Sequence, residues 1–519
     1  MLYPATTVCT DPSCPSHGRV LRLWEDPKRV TMFSLASGVF EGFAVATSCR
    51  KCRATYYPNY VVRGDVRQYY EGIPDYVQVA DHTYIENALL EHFTMLSVLS
   101  WTSSTNTAHI YHESMSHLPS DARDIPRFQL RTEHTSDGFV LLALLRDAKD
   151  RGSVLEVPNS GDQQERFKDA MIARNRRIQF SGQPEYAHWC QKCHRRFDDD
   201  SGPHFVDCIV TDGISIGRPC CGVQNCREPL RTPQDHWCAR HVHQAAFCVV
   251  DGCCYAHRQG FRTCDSHAAV EDHHVATGQA LFTLRMRLQR AQVTHPTDAI
   301  EPDAPVEEDV DLDDTLDGPC PEKPVDGNRR VRARFGRRRT HNEQLIVRPC
   351  GIITARETFY GAETTPQVLD MLHKKHLIPG SMPRFVYYDN NCGLYKHCAA
   401  TAGEDLHTRI GLPVDVFHWK CKHKKTDVEC SFHCNPHMFP ELLNGDRSWY
   451  FNSSRAEQTN VWFGGYHAIV REMGAVKYEF FLDEMILRKN ELTRAKLEAE
   501  GWTPGYRDDI RFAGTNVSL

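Results

Sequence analysis

One spacing, used twice in succession, constrains this chain more than any other feature. Cys221-x4-Cys226-x11-Cys238-x2-His241 is followed at once by Cys248-x4-Cys253-x10-Cys264-x2-His267. Each unit ends in Cys-x-x-His and offers three sulfurs and one imidazole. That is the donor set of a closed tetrahedral zinc site, with no position left for a substrate. Each set is complete before the next begins, unlike the interleaved ligand pairs of a RING-type ubiquitin ligase, so that class is set aside. Cys220 and Cys254 lie beside ligands and compete with them for assignment.

The rest of the chain uses cysteine in the same way. Its 22 cysteines are interleaved with 28 histidines, which points to zinc in a reducing compartment rather than to a secreted disulfide framework. Near the start, "CTDPSC" (Cys9, Cys14) and "CRKC" (Cys49, Cys52) flank β-type sequence and read as a zinc ribbon. His17 is a competing donor there. A further knuckle, "CQKC" (Cys190, Cys193), has no partner pair nearby, and His188, His194 and His204 are its candidates. "HWKCKHKKTDVECSFHC" supplies one more set, read as His423, Cys430 and Cys434 with His418 or Cys421.

Charge is distributed in blocks. Residues 298–326 hold twelve acids against one lysine, so the formal charge of −6 becomes +5 without them. This Pro-rich stretch cannot bury enough apolar surface to fold alone and reads as a linker. "RRVRARFGRRR" (Arg329 to Arg339) follows, a run suited to nuclear localisation or nucleic-acid contact. Lys420, Lys422, Lys424 and Lys425 form a second basic group, suited to phosphate contact. No stretch approaches the roughly 18 apolar residues of a membrane span, and Met1 to Asp11 lacks a signal-peptide pattern. A cytosolic or nuclear protein is expected.

Helical periodicity appears in "YIENALLEHFTMLSVLSW" and "DGFVLLALLRDAKDRG", a packed bundle or a helix-turn-helix reader of DNA. The last segment alternates strands and helices. "EQLIVRPCGIITA" is a strand or strand pair, and "TTPQVLDMLHKKH" is a helix with a Thr cap and an early Pro. "RFVYYDNN" is a strand ending on Asp389. "SSRAEQTNVWFGGYHAIVREM" is a capped helix with Glu457 in its first turns, and "FLDEMILRKNELTRAKLEAE" is a charged terminal helix. Asp212 lies near the end of an apolar strand, in "VTDGISIG". Hard oxygen donors in the order strand Asp212, strand Asp389, helix Glu457 suit an RNase H-like fold that holds two Mg2+ or Mn2+ ions for phosphoryl transfer.

These residues also carry a resemblance. "YYDNNCGLYKHC", "PVDVFHWKCKHKKTDVECSFHCNP" and "WYFNSSRAEQTNVWFGGYHAIVREM" resemble fungal transposases of the Kyakuja–Dileera–Zisupton (KDZ) group, as does the run from Asp317 to Glu363. "LYPATTVCTDPSC…CRKC" is similar to the CxC5 cysteine cluster, and "TDGISIGRPCCGVQNC" with its two Cys-x-x-His endings is similar to CxC6. The resemblance implies a DDE transposase with its acidic triad on Asp212, Asp389 and Glu457. Asp326 in "VDGNRRVRARFGRRR" rivals Asp212 as the first acid. It also implies chemistry without a covalent protein intermediate: water cuts a phosphodiester at the element's end, and the freed 3′-hydroxyl attacks target DNA.

The expected architecture is α/β and multidomain, an RNase H-like core interrupted by a zinc-binding insertion. A zinc ribbon spans 1–79, a helical and DNA-binding candidate region 80–180, and a knuckle with the first core strand 181–217. The double Cys3His insertion takes 218–275, a helix and acidic linker 276–328, and the remaining core with the C-terminal helix 329–519. Structural Zn2+ and catalytic Mg2+ or Mn2+ are the expected cofactors. DNA, as transposon ends and target, is the expected partner, with no membrane and with homo-oligomerisation left open. The rival function is a transposase-derived, zinc-dependent DNA-binding protein without catalysis.

Overall fold

The computed structural model describes residues 1–116, 126–163, 165–199, 202–290, 333–422 and 428–507. The acidic linker, Asp326, His423, Lys424 and Lys425 lie outside them, and of residues 420–422 the backbone alone is described. The fold is mixed α/β with several sheets. No helix among the described residues is long and apolar enough to cross a membrane.

Two antiparallel-rich sheets open the chain. Short strands from Arg22–Leu23 to Val66–Tyr69, closed by Glu156–Pro158, form a six-stranded sheet around the four N-terminal cysteines. Lys28–Ser34, Gly38–Ala44, Tyr76–Ala80 and Thr83–Glu86 form a four-stranded one. The hairpin of Tyr76–Ala80 with Thr83–Glu86 runs across the boundary expected at residue 79, so the ribbon and the helical region share a sheet. Helices α1 (Asn87–Ser100), α2 (Thr132–Asp150) and α3 (Lys168–Ser181) pack behind it. Every residue of α2 from Val140 to Leu145 is buried. A helix apolar on all sides belongs inside a core.

The central sheet has five strands: β1 (His194–Asp199), β2 (Gly202–Ile214), β3 (Asn342–Val347), β4 (Ile353–Phe359) and β5 (Phe385–Tyr387). β1 to β4 run antiparallel in order, and β5 lies parallel to β2. Strand side chains alternate between faces, and both faces here are covered. Val206, Cys208 and Val210 of β2, Leu345 and Val347 of β3, and Phe385 and Tyr387 of β5 point one way. They meet α6 (Arg455–Gly464) and α7 (Ala475–Ala499) through Phe463, Tyr478, Leu482 and Met485. Ile209, Ile346 and Val386 point the other way, onto α4 (Thr365–Lys375) and α5 (Asn391–Ala400). "EQLIVRPCGIITA" is thus a hairpin, as its length allows.

The charged terminal helix is central rather than peripheral. Asp483, Glu484 and Arg488 of α7 are buried. Arg356 on β4 grips Asp483 with two nitrogens, at 3.0 and 3.1 Å, and reaches Glu343 at 2.6 Å. Glu484 pairs with Arg174 of α3 and, at 2.7 Å, with Arg488. Burying such groups is costly unless each charge has its partner, and here each one does.

The N-terminal half docks onto α6 through a reciprocal tryptophan pair. Trp101 Nε1 donates to the Trp462 carbonyl and Trp462 Nε1 to that of Val98, both at 2.8 Å. The Trp101 ring lies where a side chain on residue 465 would sit, only 2.2 Å from an added Cβ. Gly465 therefore lets the ring approach, and the helix stops there. The segment read as one helix to Met473 is split into α6 and a short turn, His467–Val470.

The double Cys3His unit leaves the sheet after β2 and returns along the basic run. Ala333 bridges Val250, and Arg339 bridges Pro219. Arg334 pairs with Asp251 at 3.0 Å, and Arg337 and Arg339 with Glu472 at 3.0 and 3.3 Å. These arginines have internal partners as well as exposed surface. The helix Ala268–Arg290 starts directly after the last ligand and crosses the boundary expected at 275.

Candidate active site and metal centres

Strand parity places the first carboxylate: Asp212 continues the face of Val206, Cys208 and Val210, while Asp389 lies in the turn that follows Phe385–Tyr387. The parallel register sets Val210 beside Tyr387; Asp212 lies two residues on in β2, and Asp389 lies just after β5, close enough for its charge to act on Asp212. Both sit at the carboxyl end of a parallel pair, where open α/β sheets form their crevices.

Electrostatics agrees with this placement. Burial pushes the Asp212 carboxyl up to about 7, and the charges of Asp389 and Glu363 add to the shift. The Gly213 N–H and Asn460 Nδ2 donate to its two oxygens, each at 2.9 Å, and partly offset it. Among the described residues, no ion pair neutralises Asp212, Asp389 or Glu363. Like charges crowded without a cation are disfavoured, and a divalent ion would relieve that repulsion, although Asp212, Asp389 and Glu363 are not among the sets whose donor atoms all lie within 4.8 Å of one another.

Glu363 was not legible in the sequence. It follows β4 in an ordinary loop, yet Tyr388 Oη donates to it at 3.1 Å and Asn342 Nδ2 at 2.9 Å. Burial raises its carboxyl, opposed by the Tyr388 hydrogen bond and reinforced by the charge of Asp389.

Glu457 lies in the first turn of α6, three residues before Asn460, so the two share a helix face. Its carboxylate meets His418 Nε2 at 3.3 Å, and His418 Nδ1 lies 3.3 Å from Asp415 Oδ2. Asp415 and His418 are buried, Glu457 half-buried, and their donor atoms lie within 4.8 Å of one another. Glu457 is thus grouped with Asp415 and His418, and among the described residues its donor atoms form no such close group with Asp212 and Asp389. The Ser454 hydroxyl, expected to cap α6, instead donates to Asp415 at 2.9 Å. Asp415 was missed because Asp-x-x-His alone resembles any helix start.

Three of the expected zinc sets converge. Cys9, Cys14, Cys49 and Cys52 meet, as do Cys221, Cys226, Cys238 and His241, and Cys248, Cys253, Cys264 and His267. A tetrahedral zinc with thiolates at about 2.3 Å separates its sulfurs by about 3.8 Å. The observed edges are 3.8 and 3.7 Å in the first set, 3.9 Å for Cys226–Cys238 and 3.8 Å for Cys253–Cys264. His241 Nδ1 stands 3.4 Å from each of its three sulfurs. Each Cys-x-x-His ending enters a 3-10 turn, whose three-residue repeat brings both donors to one side. Cys254 is exposed, and Cys220 is buried outside the ligand set.

The set expected at 418–434 is described only in part. His423 lies outside the described residues, Cys430 is bonded to Cys392, and Cys434 packs beside them against Val414. Cys392 thereby joins Cys430 and Cys434 in one buried cluster, a residue the local spacing had not placed there.

Between the two Cys3His units lies a cleft of about 650 Å³ lined by Trp237, Phe247, Arg262, Arg334 and Arg338. Cationic and aromatic side chains in one groove are what a nucleic-acid backbone and its bases engage.

Residues 1–115 match the family model of a CxC5 like cysteine cluster associated with KDZ transposases. Residues 210–273 match that of a CxC6 like cysteine cluster associated with KDZ transposases. The first match covers the N-terminal four-cysteine set, and the second covers both Cys3His sets together with Asp212. No curated protein and no solved structure matches the chain.

Proposed function

We propose that this chain, which carries both cysteine clusters associated with KDZ transposases, is a DDE-type transposase acting on DNA in the nucleus through an RNase H-like core. The observation that carries the reading is the proximity of Asp212, tied by Asn460 to the helix that bears Glu457, to Asp389, which follows the strand parallel to β2. An antiparallel run of strands with a fifth strand parallel to the first acid's strand suits that core.

Asp212 and Asp389 would hold a divalent cation, with Glu457 approaching from α6. Bound Mg2+ or Mn2+ supplies charge neutralisation at the scissile phosphate and lowers the pKa of an attacking water. The chain's own groups position this assembly. Asn460 fixes one oxygen of Asp212, Gly213 the other, and buried His418 holds Glu457 in place. Burial and the neighbouring acids raise the Asp212 carboxyl to about 7, and a bound cation would favour its ionised form. Phosphoryl transfer asks the protein mainly for alignment and charge stabilisation, so no cysteine or serine nucleophile is needed. The Cys3His units and their arginine-lined cleft would grip DNA by its backbone.

Nicking of supercoiled plasmid by the purified full chain, with Mn2+ or Mg2+ and with EDTA, tests this. Cation-dependent nicking lost in Asp389→Asn supports the reading. Nicking that Asp389→Asn leaves intact, or DNA binding without any nicking, overturns it.

A further inference from the structure

The "CQKC" knuckle lies outside both matched clusters, and the fold supplies what the sequence near it lacks. His188 and Trp189 form a short strand against Gly505–Tyr506, and the chain then turns through Cys190 and Cys193. Cys350, at the tip of the β3–β4 hairpin, reaches the same point from 162 residues beyond His188. The four donor atoms lie within 4.8 Å of one another. Cys190 and Cys193 are 3.5 Å apart, and Cys350 is 3.4 Å from His188 Nε2. His188 is 1% exposed, Cys190 and Cys193 0%, and Cys350 4%. Ile352, Leu497 and Trp502 close over them.

We propose that His188, Cys190, Cys193 and Cys350 bind a structural zinc ion of the Cys3His class. The edges are those of a compact tetrahedral site, and four donors from two chain segments leave no open position. Zinc-bound histidines commonly present the second ring nitrogen to a carboxylate. Here His188 Nδ1 faces Glu185 Oε2 at 4.0 Å. His194 touches Cys193 at 3.3 Å without joining the mutually adjacent set, and His204 packs on Phe197 instead. A thiol cluster without metal would bury weak donors and an imidazole among apolar side chains, where unsatisfied polar groups are costly.

The ion would fasten the β3–β4 hairpin to the knuckle and to the chain after α7. It also bears on α6, because Arg455 donates to the Cys350 carbonyl at 3.2 Å. The Arg455 guanidinium rests on residue 351, which has φ +101° and would place a Cβ 2.3 Å from it. Only glycine serves there.

Zinc per chain, measured on the purified full-length protein by mass spectrometry of the metal, tests the site. Cys350→Ser and Cys193→Ser should each lose one zinc, and the double variant should also lose one. Unchanged zinc in Cys350→Ser, or two lost in the double variant, overturns the proposal. Should the serine variants fail to fold, Cys350→His keeps four donors. It should keep the zinc and move the cobalt d–d bands to shorter wavelength, whereas a cobalt spectrum identical to wild type overturns the site.

Discussion

Asn460 Nδ2 donates to Asp212 Oδ2 at 2.9 Å, so the helix carrying Glu457 is pinned to the strand carrying the first acid. One amide thereby sets the distance between elements that lie 248 residues apart in the chain. Hydrogen bonds to charged groups are worth about 1.5–3 kcal/mol. We expect Asn460→Ala to raise the Mn2+ concentration for half-maximal plasmid nicking about tenfold, a shift of about 1.4 kcal/mol. A metal titration of nicking by the two proteins reads this directly.

Asp212 makes stability depend on pH in a defined direction. Its folded-state carboxyl titrates near 7, above the roughly 3.9 of an unfolded chain. The unfolded state therefore releases its proton first as pH rises, and the metal-free fold loses stability between about pH 4 and 7. Asp212→Asn removes that loss. Without divalent ions, the variant should be about 1–3 kcal/mol more stable than wild type at pH 8 and equal to it near pH 4. Denaturant unfolding at the two pH values checks this. Added Mg2+ or Mn2+ should stabilise wild type and not the variant.

The two Cys3His units are self-contained, so they should fail one at a time. Cys238→Ser is expected to lower zinc content by one ion per chain and to open residues 221–241 to trypsin. The second unit, built on Cys248 to His267, should keep its ion. Zinc measurement with limited proteolysis distinguishes this from loss of both.

Arg356 stands between two buried acids, Asp483 and Glu343. Removing one partner of a buried ionic group strands the others, at about 3–5 kcal/mol. Arg356→Met should lower the unfolding free energy by that amount. An additional Asp483→Asn change should recover part of it, as a double-mutant cycle would show.

What the sequence determined alone is what its local spacing encodes. Cys-x-x-His in a 3-10 turn must point both donors one way, so Cys238 with His241 and Cys264 with His267 were legible without any fold. The strand that runs up to Asp389 and the helix start that carries Glu457 were legible for the same reason. The tertiary structure decided which distant groups share a site. Cys350 completes the knuckle at Cys190 and Cys193 because a hairpin tip folds back onto it. Glu363 joins Asp389 because Tyr388 points to the opposite face of β5 and holds it there. Asp483 and Glu484 look like surface charges on an amphipathic helix until Arg356 and Arg174 arrive from other elements to neutralise them. A pattern in sequence can state a residue's own backbone geometry and the face it occupies. Only packing states which charge, thiol or imidazole lies across the gap.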